Sequence, residues 1–258
     1  MSEQPFPEVL RSIRMRRRLS QLELATRIQS SQRYISFLEQ GRSTPGRGIV
    51  VRLGEALGLP LRERNDLLHA AGYSPVYRLS QLDEPELAPI MTAINHVLNG
   101  HRPYPAIVID RFGTLIAAND RIDVLTEDAA PELVGPQMNV FRLALHPRGM
   151  APRIDNHTQW AAHILQQLQE ESIRNPSDRI AALVAELAGY QSSDATARSD
   201  ALGFAVPMVL RSRGETMRLI TTVTTFATAT DVAIAELRLE AFLPVDAATA
   251  EALRRRWR

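Results

Sequence analysis

The sequence predicts a small all-α domain of five helices followed by an α+β domain built on a five-stranded antiparallel sheet. Three observations carry that expectation. Up to Gly72 the chain reads as short amphipathic stretches separated by caps and stops. Beyond residue 103, runs dense in β-branched residues bracket a helical stretch. The formal charge of +1 over 258 residues is also divided: residues 1–78 hold thirteen arginines against seven carboxylates, and residues 79–258 hold seventeen against twenty-two. The expected organisation is a helical domain over 1–75, a linker and connecting helix over 76–102, and a second domain with a terminal helix over 103–258.

The five helices follow from their punctuation. Phe6, Leu10 and Ile13 mark the inner face of the first. Ser20 is an N-cap for a second that carries Leu22, Ala25 and Ile28, and Ser31 caps a third over about 32–40, with Ile35 and Leu38 inward and a stop at Gly41. A proline-containing loop leads to a fourth helix through Val50, Leu53 and Leu57, ended by Gly58. A fifth runs over about 61–71, and the proline-containing segment 73–89 is the junction. In the second domain, 106–110 and 114–118 read as a hairpin around Phe112 and Gly113. Helices are expected near 139–145, 157–172 and 177–189, and a polar loop at 191–200. Strands return at 203–210, 217–226 and 233–243, the last alternating Ala235, Leu237, Leu239 and Ala241 against Glu236, Arg238 and Glu240.

Composition excludes several chemistries. Without cysteine there are no disulfides, thiol sensors, zinc ribbons or iron–sulfur ligands. His157 and His163 are six apart, which does not match the helical spacing of a zinc pair. No glycine-rich phosphate loop or nucleophile elbow is present, so neither a cofactor nor an enzymatic activity is expected. No apolar run approaches the roughly 20 residues of a membrane span, and no signal peptide is read, so a cytoplasmic protein is expected. A basic small domain beside an acidic one suits phosphate contact by the former alone. The run Arg16-Arg17-Arg18 fits a solvated helix face as well as phosphate contact, whereas Arg254-Arg255-Arg256-Trp257-Arg258 is expected as a solvated helix end, with contact to DNA or membrane as the alternative.

The most specific signal is Ser20-Gln21-Leu22-Glu23-Leu24-Ala25 followed by Ser31-Gln32-Arg33-Tyr34-Ile35-Ser36-Phe37-Leu38-Glu39-Gln40-Gly41-Arg42. Two short helices crossing at a tight turn leave the second projecting, and its first residues reach base edges in a major groove. Ser31, Gln32 and Arg33 stand there, with Ser36 one turn on. Gln pairs bidentately with adenine and Arg with guanine. The stretch from about Phe6 to Ala71 resembles the XRE family of lambda repressor/Cro-type helix-turn-helix regulators. That resemblance implies phosphate contacts from Gln21, Arg42 and Ser43 and a structural role for Glu39. It also marks a departure, since the family's Gly-Val-Ser turn is here Gln29-Ser30-Ser31, and a non-glycine residue forced left-handed costs on the order of 1 kcal/mol.

Further on, Pro103-Tyr104-Pro105-Ala106-Ile107-Val108-Ile109-Asp110-Arg111, Leu115-Ile116-Ala117-Ala118-Asn119, Asn139-Val140-Phe141-Arg142, His146-Pro147, Pro152-Arg153-Ile154, Thr225-Phe226 and Phe242-Leu243-Pro244 resemble, in order, the ligand-binding domain of MmyB-like regulators. The resemblance spans about 104–248 and implies a PAS-like fold holding a hydrophobic, fatty-acid-like ligand. Gly113 departs from it, because many relatives have Trp there, so the cavity is enlarged or the turn relaxed. Candidate cavity residues are Phe141, Leu145, Trp160, Met208, Met217, Val223 and Phe242, with Tyr104 and His157 as polar anchors. The same apolar spacing fits ordinary core.

The expected protein is therefore a sequence-specific regulator of double-stranded DNA whose second domain senses a small apolar effector. One such motif reads few base pairs, so a homodimer on a palindromic operator is expected. The alternative is a DNA-binding adaptor whose second domain docks a protein, such as RNA polymerase or a toxin-like partner, without a small ligand.

Overall fold

The computed structural model describes residues 5–190, 206–226 and 228–257. They form two compact units, the first taking in the chain up to Gln81 and a return segment ending at Ala235, the second the remainder.

The first unit holds α1 (Phe6–Arg16), α2 (Gln21–Arg27), α3 (Gln32–Glu39), α4 (Arg47–Ala56) and α5 (Leu61–Ala70). Their inner faces meet in one core that includes Phe6, Leu10, Ile13, Ile35, Leu38, Leu53 and Leu67. In α2 the inward residues are Leu24, Ala25 and Ile28, whereas Leu22, expected on that face, is exposed. Leu24 takes the inner position because the buried stripe runs at i, i+1 and i+4 from it. The return segment joins this unit through one backbone and one side-chain bond: Val232 N–H donates to Arg78 carbonyl at 2.8 Å, and Ser80 N–H donates to the Asp231 carboxylate Oδ2 at 3.2 Å.

The second unit is built from α6 (Ala88–Gly100), β1 (Ala106–Ile109), β2 (Leu115–Ala118), α7 (Asp123–Thr126), α8 (Val140–Leu145), α9 (His157–Arg174), α10 (Asp178–Ala188), β3 (Met208–Ser212) and β4 (Glu215–Thr225). After the short helix α11 (Val232–Ala235) of the return segment come β5 (Arg238–Pro244) and α12 (Ala247–Arg256). All strand pairs are antiparallel, in the order β2-β1-β5-β4-β3. The two hairpins follow their turn chemistry. Asp110 Oδ1 accepts from the N–H groups of Phe112 and Thr114, both at 2.8 Å, while Arg213 and Gly214 take φ of 50° and 79° between β3 and β4, as a tight antiparallel turn demands. One sheet face, through Ile107, Ile109, Leu210, Met217, Leu219 and Phe242, packs with helices α8 to α10 in the main core. α6 packs against β1 and β2, consistent with the burial of Ala106 and Val108, which alternate with Ile107 and Ile109.

Three expectations need correction. The stretch expected as strand over 233–243 begins as α11, because Asp231 caps a helical turn by accepting from Ala233 N–H at 2.8 Å; the strand starts only at Arg238. The strand expected over 203–210 starts at Met208, and its residues 203–205, like the expected loop 191–200, lie outside the described residues. The terminal arginine run is not simply a solvated end. The Arg256 side chain is 7% exposed and reaches Asp123 at 3.3 Å, Glu127 at 3.1 Å and Ser212 Oγ at 2.6 Å, while Arg255 pairs with Glu215 at 2.6 Å. Ser212 in turn donates to Glu127, so α12 is tied to α7 and β3 by charge-assisted bonds.

A second polar tie sits under the sheet edge. Asn119 is 3% exposed and uses its whole carboxamide: Oδ1 accepts from Ala106 N–H at 3.2 Å and Arg121 N–H at 3.1 Å, and Nδ2 donates to the carbonyls of Leu98 at 3.0 Å and Tyr104 at 2.9 Å. It thereby fixes the end of α6 to the start of β1. Replacing it with alanine strands several buried groups, so Asn119→Ala is expected to lower stability by roughly 2–4 kcal/mol in urea unfolding followed by circular dichroism. A loss under about 1 kcal/mol would contradict that role.

Candidate nucleic-acid interface and ligand cavity

The projecting helix α3 is positioned by local chemistry at each end of α2. Ser20 and Glu23 form a reciprocal cap: Ser20 Oγ accepts from Glu23 N–H at 3.1 Å, and Glu23 Oε2 accepts from Ser20 N–H at 2.6 Å. At the far end Ser30 N–H donates to Ala25 carbonyl at 2.8 Å, and Gln29 takes φ of 55°. The non-glycine turn thus adopts the left-handed geometry rather than a looser one. Ser31 then caps α3, its Oγ accepting from Tyr34 N–H at 3.2 Å.

With Ile35 and Leu38 buried, α3 leaves Gln32 and Arg33 exposed at its first turn. The Arg33 guanidinium stacks 5.1 Å from the Phe37 ring centroid one turn later, which limits its rotamers without consuming its donors. Ser36 Oγ accepts from Gln40 Nε2 at 3.0 Å. Gly41, at φ 69°, turns the chain so that Arg42 is exposed and Ser43 half-buried. Gln21 is held from within: its Nε2 donates to Glu39 Oε2 at 2.8 Å, leaving its second N–H for an outside acceptor. Glu39 also takes both arms of Arg14, at 2.6 Å and 2.9 Å. Burial opposes its ionisation, but the bonds from Arg14 and Gln21 outweigh that and hold its carboxyl below the usual range. In the Arg16-Arg17-Arg18 run, Arg16 pairs with Glu63 at 3.6 Å, Arg17 reaches Gly58 carbonyl at 3.5 Å, and Arg18 is exposed.

In the second unit a cavity of about 360 Å³ lies between the sheet and helices α8 and α9. Strand register explains its floor: Ile107, Glu240 and Val223 are successive cross-strand partners on β1, β5 and β4, and the next pair on β5 and β4 is Phe242 with Thr221. Its other walls include Met138, Phe141, Ala144, Trp160, His163, Ile164, Gln167 and Met208. Of the expected cavity residues, Phe141, Trp160, Met208, Val223 and Phe242 therefore line one space. Leu145 and Met217 do not; they are buried in the solid core, Met217 beside its strand partner Leu210. Tyr104 packs against that core with its hydroxyl accepting from Arg254 at 3.4 Å, and His157 is absent from the lining, its pKa lowered by burial. Gly113 has φ of 80°, and a Cβ there would lie 2.3 Å from the Phe141 ring, so that ring occupies the space a larger residue would take.

The polar members of the lining were not expected. Glu240 read as the outward member of an alternating strand, yet it shares a face with Phe242, two residues on, and that spacing was the available signal. No described side chain hydrogen-bonds its carboxyl; burial pushes its pKa up to about 7, against a small opposing pull from Arg238.

Residues 8–67 match the helix-turn-helix domain family, and residues 90–255 match the MmyB-like transcription regulator ligand binding domain. The chain belongs to the MmyB-like transcription regulators. No curated relative matches it. An MmyB-like regulator of this kind is a DNA-binding transcription regulator with a ligand-binding domain, and neither matched family is enzymatic. Among the described residues of this MmyB-like regulator no helix is long and apolar enough to cross a membrane.

Two outcomes follow from this geometry. Gln29→Gly relieves the left-handed strain and is expected to stabilise the helix-turn-helix unit by about 0.5–1 kcal/mol in thermal unfolding; destabilisation would mean that the Gln29 side chain contributes more than its backbone costs. Between the ordinary carboxylate value of 4.5 and about 7, Glu240 holds a proton in the folded state that the unfolded chain has already released, so stability falls as pH rises through that window. Glu240→Gln is expected to remove that slope and to gain about 3 kcal/mol at pH 8, read as the difference between two urea-unfolding pH profiles in which His157, His163 and Arg238 are common to both proteins. Parallel profiles would contradict the burial of this carboxyl.

Proposed function

We propose that this chain is a cytoplasmic, homodimeric, sequence-specific regulator that binds a palindromic operator and changes its affinity when its PAS-like domain takes up a small apolar effector. The observation that carries the reading is a cavity walled mostly by apolar side chains in one unit, while the other unit presents Gln32 and Arg33 unobstructed at the start of α3. Arg33 is assigned to base readout with Gln32. Ser31, whose hydroxyl oxygen accepts the cap bond and keeps its O–H to donate, and Ser36 contact the backbone or a base edge nearby. Gln21, Arg42 and Ser43 are assigned to phosphates, which fix register without carrying sequence information. Two copies related by a dyad would place two α3 helices one helical turn of DNA apart, about 34–36 Å.

The test begins with selection of a preferred site from random duplexes, followed by fluorescence anisotropy at several salt concentrations. Arg33→Ala is expected to weaken the selected site by about 1–3 kcal/mol while leaving nonspecific binding nearly unchanged. Arg42→Ala is expected to weaken both alike and to reduce the salt slope by about 1. Equal losses from Arg33→Ala on specific and random DNA would overturn the readout assignment. An affinity indifferent to every apolar compound bound by the protein would favour the adaptor reading.

A further inference from the structure

We propose that Glu240 anchors the polar head of the effector and that this effector is a hydrophobic amine carrying a positive charge. The proposal rests on the reading of the cavity as the effector site, and it departs from the fatty-acid-like molecule that the family resemblance implies. The cavity is lined by no arginine or lysine among the described residues, so a carboxylate entering it meets no permanent cation there, with the His163 imidazole as the basic side chain on the wall. It meets Glu240 instead, an acid with no hydrogen-bond partner in the described structure, flanked across the sheet by Ile107 and Val223. Two ionised carboxylates in such a place repel, whereas an ionised carboxylate and an ammonium each relieve the other's desolvation.

The aromatic walls act in the same direction. Phe141, Trp160 and Phe242 line the space, and ring faces attract an ammonium and disfavour an anion. The Trp160 indole N–H is buried and has no hydrogen-bond partner among the described residues, so it is one donor in the wall for which an alcohol or carboxylate head would compete. His163 and Gln167 are engaged with one another at 3.0 Å. The remaining lining is largely aliphatic and suits an alkyl tail.

Isothermal titration calorimetry of the full chain near pH 8 with decylamine, decanol and decanoate, all below their micelle concentrations, separates the possibilities. Decylamine is expected to bind at least about ten-fold tighter than either other probe, and Glu240→Gln to abolish that preference while leaving decanol within about three-fold of its wild-type affinity. A smaller preference in the wild-type protein, or one that survives Glu240→Gln, overturns the proposal. Decanoate binding tightest removes the amine and leaves the apolar-effector reading standing, whereas binding of none of the three removes both.

Discussion

A carboxylate withdrawn from water requires a partner or a proton, and this chain meets that requirement differently at three glutamates. Glu39 receives Arg14 from α1 and Gln21 from α2, so one charge sets the mutual arrangement of three helices and with it the presentation of α3. Glu127 receives Ser212 and Arg256, and Arg153 stands 3.8 Å away, which binds the terminal helix to the sheet. Glu240 receives no hydrogen bond from any described side chain. The first two sites are closed by their own side chains, and the third is left open at the wall of a cavity. The contrast separates groups whose pairing completes the fold from a group whose pairing the fold leaves unfinished.

The helical unit was legible because its signals are local. Ser20, Ser31 and Gly41 act within a few residues of themselves, and a cap or a left-handed stop works the same way wherever the helix is placed. The turn at Gln29 shows the limit of that logic. Local propensity argues against a left-handed glutamine, but the packing of α2 on α3 sets the backbone and tolerates a small strain. Leu22 shows another limit, since an apolar residue at the start of a seven-residue helix has two equally periodic neighbours and only tertiary contact chooses Leu24.

In the second unit, strand existence was legible and strand ends were not. Alternation through Ala235 and Leu237 continues smoothly from helix into strand, and Asp231, whose capping bond interrupts it, lies before the pattern begins. The aromatic and branched residues singled out from the sequence line this cavity where they fall on the sheet floor or the facing helices. Leu145 and Met217 have the same character, and their exclusion depends on how deeply the neighbouring elements close over them, a three-dimensional property with no sequence period. Arg256 was similarly opaque, because its partners Asp123, Glu127 and Ser212 stand far away along the chain.

The return segment around α11 belongs to the same compact unit as the helix-turn-helix, although it connects two strands of the sheet. The polypeptide therefore passes between the units three times, and no single cut yields both parts intact. Recombination that exchanges reading heads among related regulators at the junction after Gln81 would leave this piece behind with the sensor, and each chimaera would have to accept a foreign fragment in its head. A chain interleaved in this way is not a pair of cassettes in series, and any exchange at that junction divides the first unit itself.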